Sequence, residues 1–464
     1  MYLAWFFAVL FGCGSWIAIN GIWSESPVLW PLSPDCLHLA SITTVVVQLA
    51  NVGPVSYLLI SRFMCKGRER QARTFTICVI YVLGVAACVQ LSILWDRTSV
   101  LGGHRHSTAL IVLIFVLGLV DCTSSVTFLP FMGQYPKEYL NWLYVGEGLS
   151  SLIPSCIALI QTSGVDKDNV THPSQYNCSL STVPTRFSPN TYFGFLTGLV
   201  LASAIGFLLL TYCGRSESSP VESNDQEQLP QTEDGPFLMN CCSSSTVEQN
   251  EKEQLIQTDG DHAVDSPVTR DNLQSSQQQT FWSRKLVVLL ILVAWINCLF
   301  NGLIPSLSSY AFTPYGSADI TVNVGMVAGT LTAFASLVLA WEDSTGKPAF
   351  ATIVTMEVIA TILGGYIIWI ASPMCNSDRP LLGTKAGTAH MVLVNFFASV
   401  SAVYAKVAIA QGAKKLVGEK ALLACGIATQ IGSCIGAFTI FGFVTTGHFN
   451  QPTNCSHLLT VSVI

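Results

Sequence analysis

Charge is what this sequence has least of. Asp, Glu, Lys and Arg together make up 11% of its 464 residues, against roughly 25% in soluble domains. With 50% of residues hydrophobic and a mean hydropathy of +0.50, a soluble fold is excluded and the chain reads as an integral membrane protein. Ten-residue segments of alternating polarity are also absent, which excludes a transmembrane barrel. The spans must then be helices, because lipid offers no partner to the backbone of an open strand. No Lys or Arg precedes the first apolar run, so the basic leader of a secretory signal is missing and the run is expected to stay as a permanent helix. Neither a phosphate-cradling loop, nor zinc-ligand spacing, nor a nucleophile–base pair occurs, which argues against an ATP-driven pump. An intramembrane enzyme would need Asp121 and Glu147 to act as an acid pair, and neither sits in a catalytic sequence. No metal, cofactor or nucleic-acid partner is expected.

What is present is a set of eleven apolar runs, near 3–23, 38–60, 74–95, 108–131, 139–161, 191–213, 285–309, 319–341, 349–372, 387–411 and 421–446. Each is close to the 20 or so residues that a membrane-crossing helix requires. Arg62, Lys66, Arg68, Arg70 and Arg73 crowd the second loop, and Lys414, Lys415 and Lys420 the tenth. Basic loops stay in the cytoplasm, which puts the amino terminus inside and the carboxyl terminus outside. Three Asn-X-Ser/Thr acceptors, Asn169, Asn177 and Asn454, then all fall on the exterior face, where glycosylation occurs. Four of sixteen cysteines, Cys36, Cys178, Cys375 and Cys455, share that oxidising side. Cys375 and Cys455 are expected to pair, since both lie a short reach from helix ends in the carboxyl-terminal half; Cys36 with Cys178 stays open.

The stretch Leu119–Met132 places Asp121 beside Thr123, Ser124, Ser125 and Thr127, followed by Phe128, within an otherwise uncharged apolar run. An acid at that depth must face a cavity or the bundle interior, and its default reading is functional. The structural alternative is a neutral acid hydrogen-bonded to a neighbouring helix. Glu147, flanked by Gly146 and Gly148, is a second acid in the same half, with simple solvation near the cytoplasmic end as its alternative. In the first run Trp16, Asn20 and Trp23 share one helical face, a ring and an amide suited to a flat polar ligand. An interface anchor and an interhelical hydrogen bond explain them equally well singly. Gln48 and Asn51 precede Gly53-Pro54, a break of the kind at which transporters build sites.

Between the sixth and seventh runs, Gly214–Ser283 carries thirteen acids against Arg215, Lys252 and Arg270 and reads as a disordered linker. The second half echoes the first: Asn20-Gly21 by Asn301-Gly302, Asn51-Val-Gly53 by Asn323-Val-Gly325, and Ser155-Cys-Ile157 by Ser433-Cys-Ile435. The echoes keep their order, which predicts two parallel bundles, six helices then five. Their limits are 1–213 and 285–464, joined by a cytoplasmic linker at 214–284. The second half adds Asn297, Asn301, Tyr310 and Lys406. The last is expected to snorkel to the cytoplasm, and Glu357 is an intramembrane acid with no assigned role.

Gly14–Trp23, Gln48–Pro54, Asp121–Met132 and Val145–Ser150 resemble the signature runs of solute carrier family 52, the riboflavin transporters. Within it the acids Asp121 and Glu147 resemble the third, proton-stimulated member. The resemblance implies an all-α polytopic fold related to equilibrative nucleoside transporters and major-facilitator proteins. It also implies riboflavin uptake across the plasma membrane, independent of sodium and chloride. A flat tricyclic ring with an imide and a ribityl chain needs stacking aromatics and amides. The expected ligand site is therefore Trp16, Asn20, Gln48, Asn51, Thr127, Phe128, Asn297, Asn301 and Tyr310, with Ser124 and Ser125 nearby. Asp121 and Glu147 are expected to couple transport to protons, with His38, His104 and His106 as the competing pH sensors. A receptor or scaffold without transport is the rival function.

Overall fold

A computed structural model describes residues 2–63, 68–132, 135, 137–163, 182–217, 283–315, 350–373, 379–417 and 419–449. The expected span at 319–341, the three glycosylation acceptors, Cys375, Cys455 and residues 218–282 of the linker lie outside the described residues.

The described chain is helical almost throughout. Its helices are α1 (Tyr2–Cys13), α2 (Ile17–Leu29), α3 (His38–Leu49), α4 (Val52–Phe63), α5 (Glu69–Leu94), α6 (Thr108–Met132), α7 (Lys137–Thr162) and α8 (Pro189–Glu217). After the linker come α9 (Arg284–Asn297), α10 (Ile304–Phe312), α11 (Phe350–Ala371), α12 (Lys385–Val417) and α13 (Glu419–Thr445). Among the described residues eight helical stretches are long and apolar enough to cross a membrane, and the bent pair α1–α2 makes a ninth. Val82, Ile93, Ile205, Ile362 and Phe397 are exposed on outer faces, a surface suited to lipid rather than water. A core of Phe11, Tyr81, Phe128, Phe193 and Phe207 gathers α1 to α3 and α5 to α8, while smaller cores join α9 to α13.

One run expected to be continuous is broken, and the break expected in another is displaced. The first run bends by 52° where α1 gives way to α2. Gly12 presses its backbone on α7, and a Cβ there would lie 3.2 Å from the Cα of Gly146. The restart leaves orphan N–H groups in the first turn of α2, which Trp16 at the N-cap does not satisfy. The second run breaks at Ala50-Asn51, one turn before the expected Gly-Pro site. Pro54 then falls in the first turn of α4, where a missing N–H costs little. In the seventh run the helix loosens into a π turn at Cys298–Leu303, which carries Asn301.

Glycine-lined crossings recur on both sides of the linker. Gly12 and Gly146 let α1 meet α7; Gly302 and Gly436 let the π turn meet α13, a Cβ on Gly302 lying 2.7 Å from the Cα of Gly436. Helix α3 reaches across to α10 and α13. There Ser309 donates to the carbonyl of Leu37 at 2.8 Å, the Tyr310 hydroxyl meets Nδ1 of His38 at 3.4 Å, and the Cys434 thiol donates to Oε1 of Gln48 at 3.5 Å.

One small strand pair, not foreseen in the sequence, joins Ser99–Leu101 to His104–His106 in antiparallel register. Its two-residue turn is Gly102-Gly103, both at positive φ, as tight hairpins require. Asp35 holds the hairpin end, accepting the N–H of Ser107 at 2.7 Å and pairing with the ring of His106 at 2.7 Å. Next to it, Cys36 is disulfide-bonded.

Candidate functional site

The break after α1 organises the site. Asp121, 1% exposed, reaches from α6 to accept the N–H of Ile19 at 3.1 Å. Three residues on, the Ser124 hydroxyl donates to the carbonyl of Ser15 at 2.8 Å and to its own helix at Asp121. Both sides of the break are thus stapled to α6, and the indole N–H of Trp16 donates to the exposed Ser125 hydroxyl at 3.1 Å.

Beside this staple lies a cavity of about 140 Å³ lined by Gly12, Ser15, Ser124, Ser125, Phe128, Leu143 and Glu147. Four of the residues expected from the sequence therefore share one cavity: Ser124, Ser125, Phe128 and Glu147. Phe128 contributes an edge, since its face is stacked on Phe11 with ring centres 4.1 Å apart. Thr127 contributes nothing to the cavity, because its buried hydroxyl is turned into its own helix, donating to Thr123 at 2.9 Å. Asn20 donates to the hydroxyl of Ser150 on α7 at 3.1 Å, a bond between helices.

The other expected residues fall into three places. Gln48 and Asn51 form a local amide pair, with the Asn51 amide donating to the Gln48 carbonyl and Oε1 at 3.1 and 3.2 Å. On the far side Asn301 donates to Oδ1 of Asn297 at 2.9 Å, and Asn297 donates to Val293 and Thr429. Tyr310 is buried against His38 and Phe449, away from both groups. Lys406 does not reach for the helix end as expected: its ammonium donates to Oδ1 of Asn301, on the facing π turn, at 3.0 Å.

Glu25 escaped the sequence reading. It is fully buried in α2, where Gln161 of α7 donates to its Oε1 at 3.0 Å, while Glu25 Oε2 and Gln161 Oε1 have no partner. The signal was available, since the whole of residues 2–61 contains only Glu25 and Asp35 as charged side chains. Among the described residues no group of three or more His, Cys, Asp or Glu could hold a metal ion.

The chain aligns with the crystal structure of a D-xylose-proton symporter at TM-score 0.52 and 12% identity, over 97% of this chain and 91% of that one. Helical spans long and apolar enough to cross a membrane, with a cavity beside the stapled break of the first, define a polytopic α-helical membrane protein. The family model described as "Solute carrier family 52, riboflavin transporter" matches residues 1–451. The chain is similar to riboflavin transporter member 3-A of Danio rerio, 31% identical over 97% of this chain and 98% of that one. It is similar also to riboflavin transporter 2 of Salmo salar (33%, 97% of each) and to member 3 of Homo sapiens (31%, 94% of each). The chain belongs to solute carrier family 52, the riboflavin transporters.

Proposed function

We propose that the chain carries riboflavin across the plasma membrane into the cell by alternating access, its amino terminus cytoplasmic and its carboxyl terminus extracellular. Two bundles, 1–213 and 285–464, rock about a central site, with 214–284 as a cytoplasmic linker. The observation that carries this is the cavity at the stapled break, where three serines, an aromatic side chain and Glu147 converge. At about 140 Å³ it is smaller than the roughly 300 Å³ at which small-molecule sites begin, so a tricyclic vitamin enters only as the bundles rearrange. Trp16 donates to Ser125 of its lining, and Asn20, Gln48, Asn51, Asn297, Asn301 and Tyr310 complete the site in another arrangement.

Protons enter through Asp121. As an anion it is favoured by the positive end of α2 and by the N–H of Ile19. Protonation removes that attraction and loosens the break beside the cavity, while Glu147 takes its proton at the cavity wall. Acid pH then speeds uptake without sodium. The test is uptake of labelled riboflavin by cells with the protein confirmed at the surface, competed by unlabelled flavins. Surface protein that takes up none would replace this reading by a receptor or scaffold.

A further inference from the structure

Helix α11 carries one acid, Glu357, which is 4% exposed and has no donor within hydrogen-bond reach of either carboxylate oxygen. Its surroundings are fixed: Thr361 donates to the Glu357 carbonyl at 2.8 Å and in turn receives the indole N–H of Trp295 at 3.0 Å. Helix α12 packs along α11, with Ala402 and Ala360 in one buried cluster beside Ile296; Glu357 lies one turn from Ala360 and Lys406 one turn from Ala402. The other basic residues of these elements stand apart, Arg284 and Lys285 opening α9 and Lys385 and Lys414 at the ends of α12. Yet the two charges are not in contact. Among the described residues the ion pairs are Arg97–Asp96 and His106–Asp35, and the Lys406 ammonium sits instead on Oδ1 of Asn301 at 3.0 Å.

An ammonium has three donors, and a neutral amide is a weaker partner for it than a carboxylate. A buried carboxylate with no donor is costly inside a membrane. Asn301, for its part, has its oxygen occupied by Lys406 and its amide committed to Asn297. It lies in the π turn, a distortion that often marks functional positions. We propose that Glu357 is the second seat of the Lys406 ammonium, and that transfer from Asn301 to Glu357 frees the Asn301 oxygen to accept an N–H of an uncharged, imide-bearing solute. Glu357 and Lys406 are positioning residues on this account, which rests on riboflavin transport with Asn301 at the site. Solute arrival and ion-pair closure are one event: the solute replaces the ammonium at Asn301 while the ammonium satisfies the carboxylate.

The test is a four-protein cycle of the full-length chain, wild type, Glu357→Gln, Lys406→Met and the double variant. It is read as the KM for riboflavin uptake and, on purified protein, as melting temperature. Glu357→Gln should raise KM by about five- to tenfold, the worth of one hydrogen bond, because the ammonium loses its second seat. Adding Lys406→Met should bring KM back to within twofold of Lys406→Met alone, and melting shifts should be non-additive. An unchanged KM in Glu357→Gln, or additive shifts in both readouts, would overturn the proposal. Wild-type protein that reaches the surface but takes up no riboflavin overturns the transport reading instead. In that case the melting cycle still decides the pair, non-additive shifts keeping the second seat and additive shifts removing it.

Discussion

Oδ2 of Asp121 accepts the backbone N–H of Ile19 at 3.1 Å, so a side chain from α6 caps the first turn of α2. A cap of this kind is worth about 0.5–2 kcal/mol. Asp121→Ala should therefore lower thermal stability by that order and leave the Ile19 N–H buried without a partner. Asp121→Asn keeps an acceptor while removing the titrating group. We expect it to fold like wild type and to transport with a flattened pH profile. A full pH response in Asp121→Asn, lost instead when His38, His104 and His106 are replaced, would move proton sensing to the histidines.

Asn20 separates ligand contact from helix contact. It donates to Ser150, so Asn20→Ala removes a bond between α2 and α7 as well as any bond to the vitamin. Ser150→Ala removes only the first. If Asn20 touches riboflavin, its alanine variant raises KM by an amount worth about 1–3 kcal/mol, while Ser150→Ala leaves KM near wild type. Equal KM values in the two variants would reduce Asn20 to a structural role.

Oε2 of Glu25 and Oε1 of Gln161 both lack a partner beside the bond that joins the two side chains, and we expect one hydrogen on Glu25 to serve both. Glu25→Gln supplies that hydrogen permanently, and we expect stability close to wild type. Glu25→Ala leaves Gln161 without its carboxyl partner and should cost about 1–3 kcal/mol. Thermal melts of the two purified variants decide the matter: equal losses would mean that the carboxylate charge itself is needed.

Much of this was legible beforehand. Runs of some twenty apolar residues dictate helices, and an acid such as Asp121 among them has nowhere to go but inward. Ser124, Ser125 and Phe128 could be grouped because one helix carries all three, whereas Glu147 reaches the same cavity from α7. What periodicity does not encode is where a helix restarts. The bend after Cys13 depends on Gly12 meeting Gly146, a contact 134 positions away in sequence (146 minus 12). Lys406 was misread for the same reason, since its acceptor, Asn301, belongs to a distant segment.

The crossing of the π turn with α13 offers a packing test. A Cβ on Gly302 would lie 2.7 Å from both the Cα of Gly436 and the backbone nitrogen of Ala437. Backbone cannot yield as a flexible side chain does, and overpacking of this kind costs about 1–3 kcal/mol. Gly302→Val should reduce stability and surface abundance, whereas Gly365→Val, where a Cβ meets open space, should not. Equal abundance of the two variants in surface-labelling assays would remove the close crossing.

Where two backbones touch through glycine, no side chains lie between them to repack. In the proposed alternating-access cycle the crossings of α1 with α7 and of the π turn with α13 act as welds, and the helices they join travel as single pieces. Any flexing of the chain falls to places where regular i to i+4 bonding is already given up: residues 14–16, the Ala50-Asn51 turn and Cys298–Leu303. These three hinges stand beside Trp16, Asn51 and Asn301, so each joint of the machine carries one of its polar contacts.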